Sequence, residues 1–344
     1  GSNNNTCYST PKQEACSGTN WCLLSSGRWS NSAIKKDGTL WSWGCNFYGQ
    51  LGTNNTTNYS TPQQESCQTY DWNIIEVGDY HISTIKSNGT LWSWGRNHCG
   101  QLGTNNRTCY SSPRQESCGG TNWCSLSAGT IHTSAIKTDG TLWSWGNNSL
   151  GQLGTNNTTN YSTPQQEACC GTNWILVSNG LEYTSSIKRD GTLWSWGCNY
   201  HGQLGTNNTT NYSTPQQEAC CGTNWCTVSS GHFHISAIKT DGTLWSWGRN
   251  GYGQLGTNER VSSCSTPQQE VCGGTNWCMV TSGYFHTSAI KTNGTLWGWG
   301  DNFRGGLGTN NRTCHSTPQQ EACGFSDWCI VSSGNNYTSA IRID

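Results

Sequence analysis

Apolar and polar positions along this chain change places in short runs, and the same runs return at a fixed distance. The segment 133–146, TSAIKTDGTLWSWG, predicts an apolar strand, a two-residue Asp-Gly turn and a second strand. Asp-Gly and Asn-Gly favour such hairpins because a type I′ turn needs positive φ at both central positions. These turns fall at Asp37-Gly38, Asn88-Gly89, Asp139-Gly140, Asp190-Gly191, Asp241-Gly242 and Asn293-Gly294. In each LWSW the two tryptophans stand two apart and share one face of the strand. A further strand is predicted at segments such as 21–27 (WCLLSSG), and another at the PQQE phrase. No window keeps a helical period.

GTLWSWG ends at Gly44, Gly95, Gly146, Gly197 and Gly248, and GTLWGWG at Gly300, with intervals of 51 residues four times and 52 once. That phrase occurs six times. The proline of the (S/T)P(Q/K/R)QE phrase occurs seven times, at Pro11, Pro62, Pro113, Pro164, Pro215, Pro267 and Pro318, and the SAIK-type phrase also seven. Aligned on the repeat, the seventh unit lacks a segment equivalent to 38–51, which is 14 residues. A fixed period of this length marks units that bury their apolar faces only against neighbours. Four strands per unit, seven times over, predict a single all-β domain spanning 1–344: a seven-bladed β-propeller whose seventh blade is incomplete. The strand edge opened in that unit is read first as closed by residues 1–14 or left by trimming of the chain, with a template for head-to-tail assembly as the alternative.

The order W-x2-V-S-x-G-x2-H-T-S-A-I-K-x-D-G-T-L-W-S-W-G-x-N-x2-G-Q-L-G, complete or nearly so in most units, resembles the regulator of chromosome condensation repeat. The resemblance covers the whole chain and implies a seven-bladed propeller. Repeats of this type occur in nuclear exchange factors, in enzyme-associated regulatory domains, and in secreted bacterial and phage-particle proteins, the last being the type expected here. A fold does not fix a function. The nearly equal units leave no protruding wedge of the kind the chromatin exchange factor offers its GTPase.

Charged residues make up 11% of the chain, against about 25% in ordinary soluble proteins. The formal net charge is −1, and no basic tail or lysine-rich run exists, which argues against nucleic-acid partners. No apolar run reaches the 18 residues or so needed to span a membrane.

Twenty-one cysteines sharpen the picture. Five units carry Cys-x5-Cys: Cys16 with Cys22, Cys118 with Cys124, Cys220 with Cys226, Cys272 with Cys278, and Cys323 with Cys329. Disulfides are the preferred reading, with reduced structural thiols and metal ligation as the alternatives. A zinc site would need four converging ligands, which isolated pairs do not supply. Disulfides imply an oxidising setting, so the protein is expected to be secreted, extracellular or on a virion surface. Cys7, Cys109 and Cys314 are equivalent, with Cys264 one place away, and these four are candidates for cross-links between subunits. Glycosylation triplets occur at Asn4, Asn54, Asn55, Asn58, Asn106, Asn156, Asn157, Asn160, Asn207, Asn208, Asn211 and Asn311. Either they carry glycans or an Asn/Thr-rich loop generates them by composition.

Catalysis finds no footing. His81, His132, His234 and His286 share one position in their units, and the glutamate of PQQE recurs seven times; repetition of this kind points to packing, whereas an active site breaks symmetry. No cofactor or metal is expected. The paired tryptophans are expected to pack between blades, with sugar platforms as the alternative. The expected function is a non-enzymatic extracellular or particle-surface module, structural or adhesive, with a protein partner or self-assembly. A carbohydrate-binding lectin is the main alternative, and a guanine-nucleotide exchange factor or other intracellular regulator a more distant one.

Overall fold

The computed structural model describes residues 2, 6–14, 18, 20–220 and 222–343. Six four-stranded antiparallel sheets and one two-stranded sheet surround a central shaft. Blade 2 shows the pattern: an inner strand Trp72–Val77, a second strand His81–Lys86, a third strand Leu91–Gly95 and an outer strand Tyr110–Gln115, paired in that order. Blades 1 and 3 to 6 begin at Trp21, Trp123, Trp174, Trp225 and Trp277.

The expectation of a seven-bladed ring is corrected. The described residues form six complete blades, and the seventh unit contributes only Trp328–Ser333 and Thr338–Arg342 as a two-stranded sheet. The reason is in the repeat count: the third strand is always LWSWG or LWGWG, and that phrase exists six times. Residues 8–14, the seventh copy of the outer-strand phrase, therefore have no third strand to pair with and form no sheet.

Each hairpin turns where the sequence predicts, but not with type I′ geometry. The glycine alone has positive φ, Asp139 does not, and the Gly140 amide donates to the Lys137 carbonyl at 2.8 Å, as in a type I turn followed by a left-handed glycine. Gly140, in one of these turns, sits at φ +80°, and a Cβ there would lie 2.1 Å from the Thr172 carbonyl of the next blade. The core lies between blades. Ile34 and Leu40 of blade 1 pack on Trp72, Ile75, Val77, Ile82 and Trp94 of blade 2, all buried. Within blade 2, Trp72 meets Trp92 at 6.4 Å and Trp94 at 6.0 Å between ring centroids. Lys86 caps the cluster, its Nζ 4.5 Å from the Trp72 ring. Trp94, Trp145, Trp196, Trp247 and Trp299 are fully buried, so these five are packing groups and not sugar platforms.

Blade joins repeat the same polar clamp. The Gln101 carbonyl of blade 2 accepts both the Thr133 hydroxyl and the Trp145 indole N–H of blade 3, at 2.8 and 2.9 Å. His81 Nε2 lies 2.9 Å from that same Thr133 Oγ1. Because the hydroxyl hydrogen is already used, the imidazole donates. His132 and His234 repeat the contact with Thr184 and Thr287, and His286 with Thr338. Burial pushes His81, His132 and His234 down to about 3, and His286 to about 4. Tyr183 occupies the same position in blade 4 and bonds the Gly231 and His234 carbonyls instead.

Candidate interface at the shaft mouth

Antiparallel pairing sends the loops after the inner and third strands to one face of the ring and the hairpins to the other. On the first face, seven glycines line the shaft in a closed circle. A Cβ at Gly27 would lie 2.2 Å from the Gly78 carbonyl, and one at Gly334 would lie 2.7 Å from the Gly27 carbonyl. The residue after each glycine is different: Arg28, Asp79, Thr130, Leu181, His232, Tyr284 and Asn335. In a chain built by repetition, this column breaks the symmetry.

Six of those side chains, Asn335 excepted, line a small cavity of about 80 Å³ at the shaft. Tyr284 donates to Asp79 Oδ2, and Arg28 Nη1 lies 3.8 Å from the same oxygen. Asp79 is 6% exposed; burial raises its carboxyl pKa while the Tyr284 hydrogen bond and the Arg28 charge pull against that. His232 stacks on Tyr284 with ring centroids 3.9 Å apart and planes at 18°. Burial, with the Arg28 and Arg249 charges, pushes His232 down to about 3, so the imidazole is neutral.

Aromatic rings and arginines extend this plug outward. The Arg28 guanidinium lies 5.5 Å from Trp29, 5.9 Å from Tyr80 and 5.5 Å from Tyr284. Arg96 sits over Tyr48 and Tyr80, and Arg249 over Phe233, Tyr252 and Phe285. Trp29, Phe47, Tyr200 and Phe303 stand exposed around them. Blade 3 contributes Thr130, Ile131, Ser149 and Leu150 instead, so the patch is lopsided. Sequence reasoning missed Arg28, Asp79, His232 and Tyr284. Their signal was the variable positions that follow an otherwise fixed glycine.

The cysteine pairs sit on the opposite face. Cys118, Cys124, Cys272, Cys278, Cys323, Cys329 and Cys22 are free thiols, and Cys16 lies outside the described residues. The second cysteines, exposed or half-buried, turn their thiols to the adjacent second strand: those of Cys22, Cys124, Cys226, Cys278 and Cys329 face the carbonyls of Ile34, Ile136, Ile238, Ile290 and Ile341 at 3.3 to 3.5 Å. The first cysteines ride on the PQQE glutamate, which accepts the amides of Cys118, Cys220, Cys272 and Cys323 and, through its other oxygen, an indole N–H such as that of Trp123. That double role explains a glutamate in every unit.

Among the four candidate cross-linking cysteines, Cys314 is buried, Cys109 and Cys264 are half-buried, and Cys7 is exposed. Cys109 and Cys314 accept the amides of Asn97 and Asn302 through sulfur, where Asn58, Asn160 and Asn211 accept the same amide through Oδ1. They are internal turn acceptors. Asn55, Asn106, Asn157, Asn208 and Asn311 are likewise engaged in their own turns, each with Oδ1 accepting the amide two residues on. Asn54, Asn156 and Asn207 are exposed at turn tips with φ of 57 to 59°. Asn4 lies outside the described residues. Among the described residues no group of three or more His, Cys, Asp or Glu side chains is arranged to hold a metal ion.

The ring of repeated sheets with one irregular face defines a β-propeller built from a single repeated unit. Residues 75–344 match the RCC1-like domain and residues 37–84 the Regulator of chromosome condensation (RCC1) repeat; the chain belongs to this family. It is 29% identical over 284 residues to the Ultraviolet-B receptor UVR8 of Arabidopsis thaliana, covering 81% of this chain and 64% of that one. It is 28% identical over 295 residues to the E3 ubiquitin-protein ligase HERC2 of Homo sapiens, covering 83% of this chain and 6% of that one. The chain thus spans less than two thirds of these curated relatives. Among solved structures, human WBSCR16 superposes with a TM-score of 0.85 at 20% identity, covering 94% of this chain and 87% of that chain. Prp20p from Saccharomyces cerevisiae does so with 0.83 at 19%, covering 94% and 83%. These structures share the fold.

Proposed function

We propose that the chain is a non-enzymatic binding module whose partner is a protein seated on the shaft-mouth face. The observation that carries this reading is the column Arg28, Asp79, Thr130, Leu181, His232, Tyr284 and Asn335: seven equivalent positions with seven different residues, on a face whose loops vary while the strands repeat. Arginine and aromatic side chains are the groups most enriched at the centres of protein interfaces. The same fold serves protein recognition elsewhere, since Prp20p is described by its binding to Gsp1p and histones, and yeast RCC1 has been solved bound to Kap60.

A secreted or particle-surface setting belongs to the same proposal, supported by the twenty-one cysteines and the cluster of glycosylation triplets. Protein recovered from its source with Cys118 linked to Cys124 would establish it. The interface is tested with a photo-crosslinking residue in place of Trp29 on the mouth face or of Tyr70 on the opposite face, both exposed. Adducts with the native partner are expected from position 29 alone; adducts from position 70 alone would refute the assignment.

A further inference from the structure

The arginines of the mouth face carry donors that the ring itself does not use. The loops on that face hold Arg28, Arg96, Arg249 and Arg304 and no lysine, whereas the lysines that end the second strands, such as Lys86, stand on the hairpin face. Arg28, Arg96 and Arg249 are half-buried. The Nε–H groups of Arg28 and Arg96 are shut away from solvent with no hydrogen-bond partner among the described residues. Withdrawing a charge and its donors from water is costly unless an opposite charge or an acceptor meets them.

Aromatic rings, and not acids, hold these three arginines in place. Arg28 and Arg96 lie 5.9 and 5.7 Å from the centroid of one ring, Tyr80, and Tyr48 packs edge-on against that ring at 5.5 Å. Arg249 stands 5.0 Å from Phe285 and 5.7 Å from Phe233. The two clusters flank His232, on which the Arg28 and Arg249 charges both act. The acids of the face are engaged in other ways. Asp79 accepts from Tyr284, and Asp301 accepts the Phe303 amide of its own loop. Among the described residues, Arg28 with Asp79, at 3.8 Å, is the one ion pair on this face; Arg96, Arg249 and Glu182 take part in none. Stacking fixes each guanidinium plane and leaves its N–H edge to receive an anion, a geometry that suits a planar carboxylate.

We propose that the protein seated on this face presents an acidic segment, its aspartate or glutamate carboxylates received by Arg28, Arg96 and Arg249 and an apolar side chain laid beside the exposed ring of Trp29. The inference rests on the reading of the mouth face as a protein interface. Charge complementarity selects the occupant, since arginine clusters recognise acidic motifs through charge-assisted hydrogen bonds. Carboxylates fit better than phosphoryl groups. The cations are divided between two ring clusters and do not converge as a phosphate site requires, and the Asp79 carboxylate beside Arg28 repels a dianion more than a single charge. A second copy of the ring, meeting face to face, brings the same arginines and does not complement them.

The test is a fluorescein-labelled peptide, GEWEGGEWEG, titrated into the intact chain and followed by anisotropy beside the same peptide with glutamine or phosphoserine in place of every glutamate. The glutamate peptide is expected to bind saturably, about tenfold more tightly than the glutamine one, and more weakly as sodium chloride is raised. Arg96→Gln and Arg249→Gln should each weaken it by about the same factor, while Arg312→Gln, exposed on the rim, should leave it unchanged. Melting curves separate lost binding from lost folding, and the comparison of peptides on the unaltered chain stands without any variant. Failure of the glutamate peptide to saturate, equal binding of the glutamine peptide, or tighter binding of the phosphoserine peptide would overturn the proposal. Any of these results together with crosslinked adducts from position 29 would keep the mouth face as a protein seat and remove only its acidic occupant.

Discussion

Tyr284 and Asp79, 205 positions apart in the chain, meet across the mouth of the shaft, where the phenol donates its hydrogen to the carboxylate. Removing that hydroxyl leaves a buried acid held by the Arg28 and Arg96 charges and a Thr130 hydrogen bond. Tyr284→Phe is expected to lower stability by about 1.5 to 3 kcal/mol, the range for a hydrogen bond to a charged group. Urea unfolding checks it; a change below about 0.5 kcal/mol would show the contact to be incidental.

The four buried histidines make stability depend on acid. Their pKa values in the folded chain, about 3 to 4, lie below the ordinary 6.5, so the unfolded chain takes up protons that the folded one refuses. Their contribution is present above pH 6.5 and is lost progressively as pH falls from there toward 4. His132→Tyr, which installs the residue found at Tyr183 and Tyr337, should flatten that decline in a series of thermal melts.

Glu76 acts in the opposite direction. It occupies an inner-strand position held elsewhere by Ser25, Ser127, Ser178, Ser229, Thr281 and Ser332. Ser25 Oγ accepts the Val77 amide of the next blade, and Ser127 Oγ that of Asn179. Burial pushes Glu76 up to about 8 from an ordinary 4.5, so its contribution is fully present below pH 4.5 and lost as pH rises through 8. Glu76→Ser is expected to stabilise the ring by about 0.5 to 2 kcal/mol at pH 8, as substitutions toward a repeat's own consensus commonly do, and by less at pH 5.

Close approach and not turn geometry restricts Gly78. A Cβ there would stand 2.4 Å from the Gly129 carbonyl and 2.7 Å from the His81 ring. Gly78→Ala should cost about 1 to 3 kcal/mol by overpacking, whereas Gly119→Ala, in open space, should cost less despite its φ of +64°. Denaturation midpoints of the two variants decide.

Thiol chemistry offers a further check. Burial, joined by the nearby Glu116 charge, raises Cys118 above the usual thiol range, and burial with the Asp139 charge does the same for Cys124. Because the thiolate is the reactive form, in the reduced protein alkylation by iodoacetamide at pH 7.5 should be slower at both than at a free cysteine in a peptide, and should accelerate above pH 9.

The strands and hairpins were legible because each local signal agreed with the repeat: LWSW set a shared face, Asp139-Gly140 set a turn, and six occurrences of one phrase counted the third strands. The seven occurrences of Pro11 and its equivalents misled, since an outer-strand phrase forms no blade without the strand it pairs with. The histidines were legible as packing, but their partners were not; Thr133 and the Gln101 carbonyl are fixed by how one blade leans on the next. The shaft mouth was hidden for a related reason. Arg28, Asp79, His232 and Tyr284 lie about fifty residues apart or more in sequence, and only closure of the ring turns an unremarkable variable position into a cluster.

Gly27 and its six equivalents bring neighbouring blades into close backbone approach, while the next position varies from blade to blade. The circle of glycines therefore works like a type case: the frame is constant and one slot in each unit accepts any letter. The present setting spells R-D-T-L-H-Y-N around the shaft. If the proposed interface holds, a descendant of this chain would change partner by changing those letters, with the clamps of Gln101, Thr133 and Trp145 left as they are.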